Sequence, residues 1–336
     1  MIDRYSRQTL FEGIGPKGQK KLAGSYAVVI GCGALGTVIA TSLVRAGIGS
    51  VRIIDRDFIE YHNLQRQVLF DEEDVRGQLP KAIAAERHLR KINSSIEVEG
   101  IVADVNYTNI EKFVSGASII LDGLDNLETR FLINEVSLKH KVPWVYGGAI
   151  AASGMTMNII PGQTPCLRCI FPGQVGGRSL LTCDTAGVIG PAPFIIGSLQ
   201  AAEALKILVG APGVSRELMV IDLWKNSFDR FKISAYRDCP VCQGKYEFLE
   251  GKSGLKATSL CGQNAVQVLN PEGGGISLDE LAARLKPVGE VSYNEFMLRF
   301  TVGSQEMVVF PDGRAILRGT TDESLARGLY AKYIGT

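Results

Sequence analysis

Short apolar runs alternate with amphipathic stretches through the first 150 residues of the chain. The run YAVVI (26–30) predicts a buried strand, and the stretch after the glycine turn GCGALG predicts a helix that ends at Gly47. Strand–helix alternation of this kind indicates a parallel sheet with helices on both faces, so we predict a doubly wound, Rossmann-like α/β fold. Further strands are predicted at 51–55, 96–103, 118–125 and 142–150, and further helices at 79–92 and 126–140.

The pattern changes after about residue 150. Strand and loop segments lead into a long apolar helix at 193–210, and the stretches LMVIDL and RFKISAY predict paired strands. The stretch EGKSGLKAT (250–258) has the polar composition of a linker, and the patterns beyond it predict a small α+β unit. We therefore predict two domains, 1–250 and 251–336.

Composition and charge narrow the class of protein. Hydrophobic residues make up 46% of the 336 residues and charged residues 21%, which is typical of a globular chain. A net charge of +1 provides no field for nucleic acid or for an anionic membrane. We expect no apolar run to reach the length of about 18–20 residues that a membrane helix needs, and the N-terminus has no apolar signal core. These features predict a cytoplasmic protein.

The glycine turn predicts a nucleotide site. Gly31, Gly33 and Gly36 occupy the G-x-G-x-x-G positions between a strand and a helix, where backbone can approach a phosphate closely. The helix N-terminus offers free N–H groups to an anion. Asp55 lies 19 residues beyond Gly36, as expected for an acid that accepts hydrogen bonds from ribose hydroxyls. This motif alone does not distinguish NAD from ATP.

Cations and carboxylates further along the chain favour a triphosphate. Arg66 and Lys81 could neutralise its charge, although each could equally be a solvated surface residue. Asp122 and Asp125 follow a buried strand, at the sheet edge where ligands of open α/β sheets bind, and a carboxylate there is suited to Mg²⁺. The same stretch continues with Asn126, which could cap the next helix, and with Arg130.

The seven cysteines include two CxxC pairs, Cys166/Cys169 and Cys239/Cys242. Four thiolates fit a closed tetrahedral zinc site, and the long gap between the pairs implies a structural role. A redox pair or plain buried cysteines are the alternatives. Cys183 is unpaired and lies in a glycine-rich, polar stretch before a helix, where it could be a reactive thiol or only a small residue at the junction.

Taken together, these stretches resemble the MoeB/ThiF family of sulfur-carrier-protein adenylyltransferases, which are relatives of the ubiquitin-activating enzymes. The resemblance covers about residues 3–245, and the order of its motifs is highly specific. One departure is Ala34, where the family usually has glycine, but its backbone N–H is retained. The motifs are RYSRQ, GCGALG, DRDFIEYHNLQRQ, GQLPK, LDGLDN, CLRC, LTCDTAGVIGP and CPVC.

The resemblance implies a role for each matching position. The loop of Gly31, Gly33, Ala34 and Gly36 would cradle the phosphates of ATP, and Asp55 would hold its ribose. Arg7 would reach into the site of a neighbouring subunit, which implies a homodimer, and Cys183 matches a cysteine that in some members links covalently to the activated carrier. The remaining implied roles are binding of the triphosphate by Asn63, Arg66 and Lys81, Mg²⁺ coordination by Asp125, nucleotide binding by Asp57, Asn126 and Arg130, and zinc binding by Cys166, Cys169, Cys239 and Cys242.

The implied reaction is ATP- and Mg²⁺-dependent adenylation of the C-terminal glycine carboxylate of a small ubiquitin-like sulfur carrier, with a Gly-Gly end, in thiamine or molybdopterin biosynthesis. One alternative is the dehydratase-type branch of the family that adenylates a tRNA-attached carboxylate, against which the near-neutral charge argues. Another is a catalytically silent subunit that only binds the carrier, which would be expected to have lost Arg66, Lys81 or Asp125. An NAD dehydrogenase would leave the cysteine pairs and Arg66 unexplained. For the C-terminal unit we expect a docking role.

Overall fold

A computed structural model of the protein describes residues 4–172, 186–252, 258–260, 265–268, 275–303 and 305–334. Cys183, the candidate for a covalent link to the carrier, lies outside the described residues. The chain divides into two compact units, Met1–Ser253 and Gly254–Thr336.

An eight-stranded sheet organises the first unit, in the order β3-β2-β1-β4-β5-β6-β7-β8. Strands β1 to β5 run parallel, whereas β6, β7 and β8 extend the sheet antiparallel. The predicted Rossmann-like α/β fold is thus confirmed, with an antiparallel extension. The strands are β1 Tyr26–Ile30, β2 Ser50–Asp55, β3 Glu97–Val102, β4 Ile119–Asp122, β5 Trp144–Ile150, β6 Ser153–Ile159, β7 Leu218–Asp222 and β8 Ser227–Phe231.

Helices cover both faces of this sheet because successive strand residues point to opposite sides. Ala27 and Val29 pack into one core with helices Ala34–Ala46, Lys81–Ile92 and Pro191–Val209. Val28 and Ile30 pack into the other core, with helix Leu127–His140. The remaining helices in the described part of the unit are Ser6–Thr9, Gly15–Ala23, Glu72–Arg76, Ile110–Val114 and Leu167–Ile170, with a 3₁₀ turn at Tyr61–Asn63.

Helix Pro191–Val209 corrects the expectation that no apolar segment would be long enough to span a membrane. It has 19 residues with a mean hydropathy of 1.4, which is sufficient by length and composition. The helix nevertheless packs on β5, β6 and helix Ala34–Ala46, and Ile196 and Ala204 are buried in the core. These contacts are those of a core helix.

Strand β8 begins earlier than the stretch RFKISAY predicted. Its register starts with Asp222 opposite Ser227, so a tight turn closes directly after β7. Asp222 Oδ1 accepts hydrogen bonds from the N–H groups of Trp224 (3.0 Å) and Lys225 (3.1 Å), which fixes that turn. The turn chemistry, and not the apolar pattern, therefore sets the register.

The second unit has its own antiparallel sheet, in the order β11-β12-β13-β14-β10-β9. Phe300 and Leu317 of the sheet form a core with Leu281 and Tyr330 of two helices. Ser277 Oγ accepts from Glu280 N–H (3.4 Å) and caps the first of these helices. The elements are β9 Thr258–Leu260, β10 Ala265–Val268, helix Leu278–Leu285, β11 Glu290–Tyr293, β12 Leu298–Val302, β13 Gln305–Val309, β14 Ala315–Arg318 and helix Glu323–Tyr333.

Candidate active site

Three glycines form the junction between β1, helix Ala34–Ala46 and the loop after β4. Gly31 has a φ of +88°, which favours glycine. A Cβ on Gly36 would lie 2.0 Å from Gly31 O, and one on Gly123 would lie 2.2 Å from the same oxygen. The backbones therefore approach as closely as they do only because none of the three residues has a side chain. The junction lies between β1 and β4, where the strand order reverses and where ligands of such sheets bind.

The N-terminus of helix Ala34–Ala46 opens at this junction. No side chain caps the helix at Gly33, so its first N–H groups are available to an anion. Ala34 is the first helical residue and is half-buried, and its backbone conformation in the helix accommodates a Cβ. The departure from the family's usual glycine therefore leaves the anion-binding geometry in place.

Asp55 ends β2 beside this loop. Its carboxylate accepts hydrogen bonds from Cys32 N–H (2.6 Å) and Asp57 N–H (2.7 Å). Burial raises the pKa of Asp55, while the nearby Lys81 ammonium opposes that change. The strand end and these two hydrogen bonds place the carboxylate at the edge of the site, where a ribose would lie in this fold.

Lys81 is buried, with 6% of its surface exposed. Its Nζ lies 3.1 Å from Asp57 Oδ2, and its backbone N–H donates to Asp57 O (2.9 Å). Burial alone would lower the pKa of Lys81, but Asp57, Asp55 and Asp125 outweigh burial and raise it. Lys81 is therefore an ammonium held among three carboxylates, which excludes the alternative of a solvated surface charge.

The segment that begins at Asn63, the last residue of the 3₁₀ turn, contributes one cation and two amides. Asn63 is buried, and its Oδ1 accepts from Glu60 N–H (3.1 Å). Arg66 is half-buried and donates to His62 O (2.8 Å). Sequence reasoning assigned no role to Gln67, which is 3% exposed and whose Oε1 has no hydrogen-bond partner among the described residues. Its Nε2 lies 3.9 Å from where a Cβ of Gly33 would be, so its amide faces the glycine loop.

The loop after β4 presents Asp125 and conceals Arg130. Asp125 is exposed, and Asn126 Oδ1 accepts from Thr129 N–H (2.9 Å) as the N-cap of the next helix. Arg130 is 7% exposed. It donates to Asp122 Oδ2 (2.9 Å) and Gly147 O (2.7 Å), and also to Leu124 O. Arg130 thus lies behind the loop and supports it from within.

Arg7 is not brought to this site. It is exposed on helix Ser6–Thr9 and has no side-chain hydrogen bond or ion pair with another described residue. The adjacent Gln8 donates to Ala46 O (2.8 Å), at the last residue of helix Ala34–Ala46. That helix has 13 residues and is about 20 Å long, so Arg7 and the glycine loop lie at its opposite ends.

The four cysteines of the two CxxC pairs form one cluster. Their Sγ atoms are 3.5–3.8 Å apart in four of the pairings and all lie within 4.8 Å of one another. Four thiolates at the usual Zn–S bond length would be about 3.8 Å apart in a tetrahedron. Tyr236 N–H donates to Cys169 Sγ (3.4 Å), which is the kind of backbone donor that supports a bound thiolate. The donor set and its spacing therefore fit a zinc ion.

Residues 5–241 match the sequence model of the ThiF family. The chain belongs to the ThiF family. Along its entire length it is 44% identical to the sulfur carrier protein ThiS adenylyltransferase of Bacillus subtilis, and 100% of both chains is covered. It is 35% identical to the ThiS adenylyltransferase of Escherichia coli, with 72% of this chain and 95% of that protein covered. The same identity relates it to the SAMP-activating enzyme E1 of Haloferax volcanii, with coverage of 72% and 88%.

Solved structures are also similar to most of this chain. The structure of Escherichia coli MccB with ATP has a TM-score of 0.62 and 26% sequence identity, and covers 72% of this chain and 75% of that one. The structure of MccB with MccA-N7isoASN has a TM-score of 0.64 and the same identity, with the same coverage. The family region ends at residue 241, so the second unit of this ThiF-family chain lies outside it.

Proposed function

We propose that this chain is an ATP-dependent adenylyltransferase that acts on the C-terminal carboxylate of a small ubiquitin-like sulfur-carrier protein. The full-length similarity to a ThiS adenylyltransferase supports this activity and favours a carrier of the ThiS kind, for thiamine biosynthesis. A carrier for molybdopterin biosynthesis is the neighbouring possibility within the same chemistry.

One structural observation carries the choice of nucleotide. The buried ammonium of Lys81 lies beside the ribose-type acid Asp55, at the sheet edge that also presents the glycine loop. A nicotinamide dinucleotide requires the glycine loop and the acid, but it does not require a second buried cation at this edge. A triphosphate requires such a cation, because its charge is concentrated on three adjacent phosphates. Arg66 would extend the same cationic surface.

The proposed step is a displacement at phosphorus. An oxygen of the carrier's terminal carboxylate forms a bond to the α-phosphorus of ATP, and the bond from that phosphorus to the bridging oxygen of the β-phosphate breaks. Pyrophosphate leaves with the electron pair, and an acyl-adenylate remains. The attacking carboxylate is already ionised, so the reaction needs no general base. Positioning and neutralisation of charge are then the main contributions of the protein.

The surroundings of the histidines agree with chemistry that uses no base. The Nε2 atom of His88 lies 2.8 Å from a carboxylate oxygen of Asp74, and that of His140 lies 2.6 Å from a carboxylate oxygen of Glu111. His62 is exposed, with 59% of its side chain accessible, and lies 3.6 Å from Glu60. In the proposed site Asn63, Arg66 and Lys81 bind the triphosphate, and the helix N-terminus at Gly33 stabilises charge near the α-phosphate.

Two metal ions complete the proposal. Asp125 is an exposed carboxylate at the edge of the sheet and would hold Mg²⁺, which would neutralise charge on the phosphates when bound. The cluster of Cys166, Cys169, Cys239 and Cys242 would hold a structural zinc ion.

We further propose a cytoplasmic homodimer. Leu10 and Phe11 are 74% and 65% exposed next to Arg7, and a partner subunit would cover such apolar side chains. Arg7 would then act in the partner's site. The second unit, outside the family region, is proposed to dock the carrier protein.

The direct test is carrier-dependent exchange of labelled pyrophosphate into ATP, measured with each candidate carrier of the same organism. We expect exchange with one carrier and a loss of about 10²–10³ in rate for Arg66→Ala, with a larger loss for Asp125→Ala. Arg76→Ala is the matched control, since Arg76 is an exposed cation paired with Glu72. Exchange that stays unchanged in both site variants would refute the assignment. Absence of exchange with any carrier would favour the silent-subunit or tRNA-directed alternative.

A further inference from the structure

Asp57 contacts both the ribose-type acid and the buried lysine of the site. Its backbone N–H donates to Asp55 Oδ1 (2.7 Å) and its backbone carbonyl accepts from Lys81 N–H (2.9 Å). Its carboxylate oxygen Oδ2 lies 3.1 Å from Lys81 Nζ. The three contacts join the end of β2 to the first residue of helix Lys81–Ile92.

The backbone around Asp57 is held in place by neighbouring pairs. Phe58 and Pro80 form an antiparallel bridge, and Ile59 N–H donates to Leu79 O (3.1 Å). The preceding residue, Arg56, donates to Asp104 Oδ1 (2.8 Å). This segment is therefore a fixed support and not a free loop.

The ammonium of Lys81 keeps donors for a ligand. Among the described residues, Asp57 is the hydrogen-bond partner of Nζ, and an ammonium has three N–H groups. Two N–H groups thus remain for phosphate oxygens. Asp57 itself is one-third exposed, but as an anion it would repel a triphosphate that it touched.

We propose that Asp57 is a positioning residue, which holds the Lys81 ammonium towards the phosphates and does not itself bind the nucleotide. This inference rests on the proposed function and refines the expectation that Asp57 contacts ATP. The opposite view, in which charge alone matters, makes a different prediction. Removing one carboxylate near a triphosphate should then tighten binding.

The charge of Lys81 gives a second readout. Asp57, Asp55 and Asp125 face Lys81, and the Cys32 thiol lies nearby. The Arg56 guanidinium lies 3.8 Å from Asp57 Oδ1 on its other side. Burial lowers the pKa of Lys81, and the three carboxylates raise it above its ordinary value. Without the charge of Asp57 the lysine should lose its proton at a lower pH, so binding of an anion should weaken from a lower pH upwards.

The test measures binding of a non-hydrolysable ATP analogue by calorimetry, between pH 7 and 10.5, with the full chain. We expect Asp57→Ala to weaken binding about 10- to 100-fold, by analogy with residues that orient a ligand-binding side chain. The Asp57→Asn variant keeps an acceptor oxygen but has no charge. It should bind the analogue about as tightly as wild type at pH 7, and its affinity should begin to fall at a lower pH than that of wild type. Glu99→Gln is the matched control and should stay within about twofold at every pH, because Glu99 pairs with Arg52 and contacts neither Asp57 nor Lys81 among the described residues.

A double-mutant cycle decides whether Asp57 acts through Lys81. In a Lys81→Ala background the further change Asp57→Ala should have no effect, since coupled residues are not additive. An independent additional loss would mean that Asp57 touches the nucleotide and would overturn the proposal, as would tighter binding by Asp57→Ala. If Asp57→Ala does not fold, the pH profile of Asp57→Asn decides alone. If the wild-type chain binds the ATP analogue but shows no carrier-dependent pyrophosphate exchange, that result counts against the proposed function. The inference about Asp57 would still stand.

Discussion

Asp122 and Arg130 form a buried ion pair directly behind the loop that presents Asp125. Arg130 Nε lies 2.9 Å from Asp122 Oδ2, and their side chains are 8% and 0% exposed. Gln200 of the long core helix donates to Asp122 O (2.9 Å), and Arg130 also donates to Gly147 O of β5 (2.7 Å). The side-chain pair therefore joins β4, β5 and helix Leu127–His140, and Gln200 ties the same strand end to the long core helix, at the edge of the candidate nucleotide site.

Removal of one member of the Asp122–Arg130 pair should lower the stability of the fold. Asp122→Ala leaves the Arg130 guanidinium buried without its counterion, so we expect the free energy of unfolding to fall by about 3–5 kcal/mol in urea titrations. Arg76→Ala breaks an exposed pair with Glu72 and should cost less than about 1 kcal/mol. Equal stability of the two variants would mean that the buried pair contributes little.

The features of the site that could be predicted from the sequence are those contained in one short segment. The glycine turn and the position of Asp55 depend on a strand, a turn and a helix that follow one another, and the structure has them as predicted. The spacing of the two CxxC pairs predicted their clustering because each pair forms a local knuckle.

Features that depend on contacts between distant segments could not be predicted. Asp57 faces Lys81 because the segment 57–59, beyond the end of β2, pairs with residues 79–81, and no local pattern encodes that pairing. Arg130 turns inwards because Asp122 is buried beside it, whereas its helix position alone would equally have allowed it to face a ligand. Gln67 carries no local signal that separates a buried amide at the loop from a surface one.

The glycine junction offers a matched pair of substitutions. Gly36→Ala would place a Cβ 2.0 Å from Gly31 O, so helix and strand must separate, at a cost of about 1–3 kcal/mol and with loss of ATP-analogue binding. The nearest atoms to a Cβ on Gly33 are 3.9 Å away, so Gly33→Ala should fold with wild-type stability. Urea unfolding and calorimetry of both variants check this difference, and equal effects of the two would contradict the steric account.

The cysteine cluster should contain one zinc ion per chain, measurable by elemental analysis. Cys239 is fully buried, so Cys239→Ser should lose the metal and destabilise the fold on the order of 4 kcal/mol or more. Cys32→Ala is the matched control, because Cys32 is equally buried but lies in the glycine loop. It should keep the full zinc content. The structural role of zinc would be refuted if the wild-type chain contained no metal and Cys239→Ser left its stability unchanged.

Glu135 should make stability depend on pH. Burial raises its pKa to about 7, against opposing hydrogen bonds from the N–H groups of Leu249 and Phe248. An unfolded glutamate has a pKa of about 4.3. Between these values the folded chain keeps a proton that the unfolded chain has released, so stability falls as pH rises from about 4.3 to 7.

The variant Glu135→Gln cannot ionise and keeps an acceptor for Leu249 N–H. Relative to wild type, it should gain roughly 1–3 kcal/mol of unfolding free energy between pH 5 and pH 8. Glu72→Gln, at a residue whose side chain is 61% exposed, should show the same difference from wild type at both pH values. Parallel pH profiles of wild type and Glu135→Gln would show that Glu135 ionises alike in the two states.

The position of Arg7 yields a test of the proposed homodimer. Because Arg7 and the glycine loop lie at opposite ends of helix Ala34–Ala46, Arg7 can serve a site only in a partner subunit. Arg7→Ala and Lys81→Ala should each abolish pyrophosphate exchange. An equal mixture of the Arg7→Ala and Lys81→Ala variants, allowed to exchange subunits, should recover about a quarter of the wild-type rate. Half of the dimers then contain one variant subunit of each kind, and one of the two sites in each such dimer is intact.

A mixture of Lys81→Ala with Arg66→Ala is the control and should recover nothing, because both residues belong to the same subunit's site. A mixture with Arg7→Ala that stays inactive would mean that Arg7 does not act across the subunit boundary.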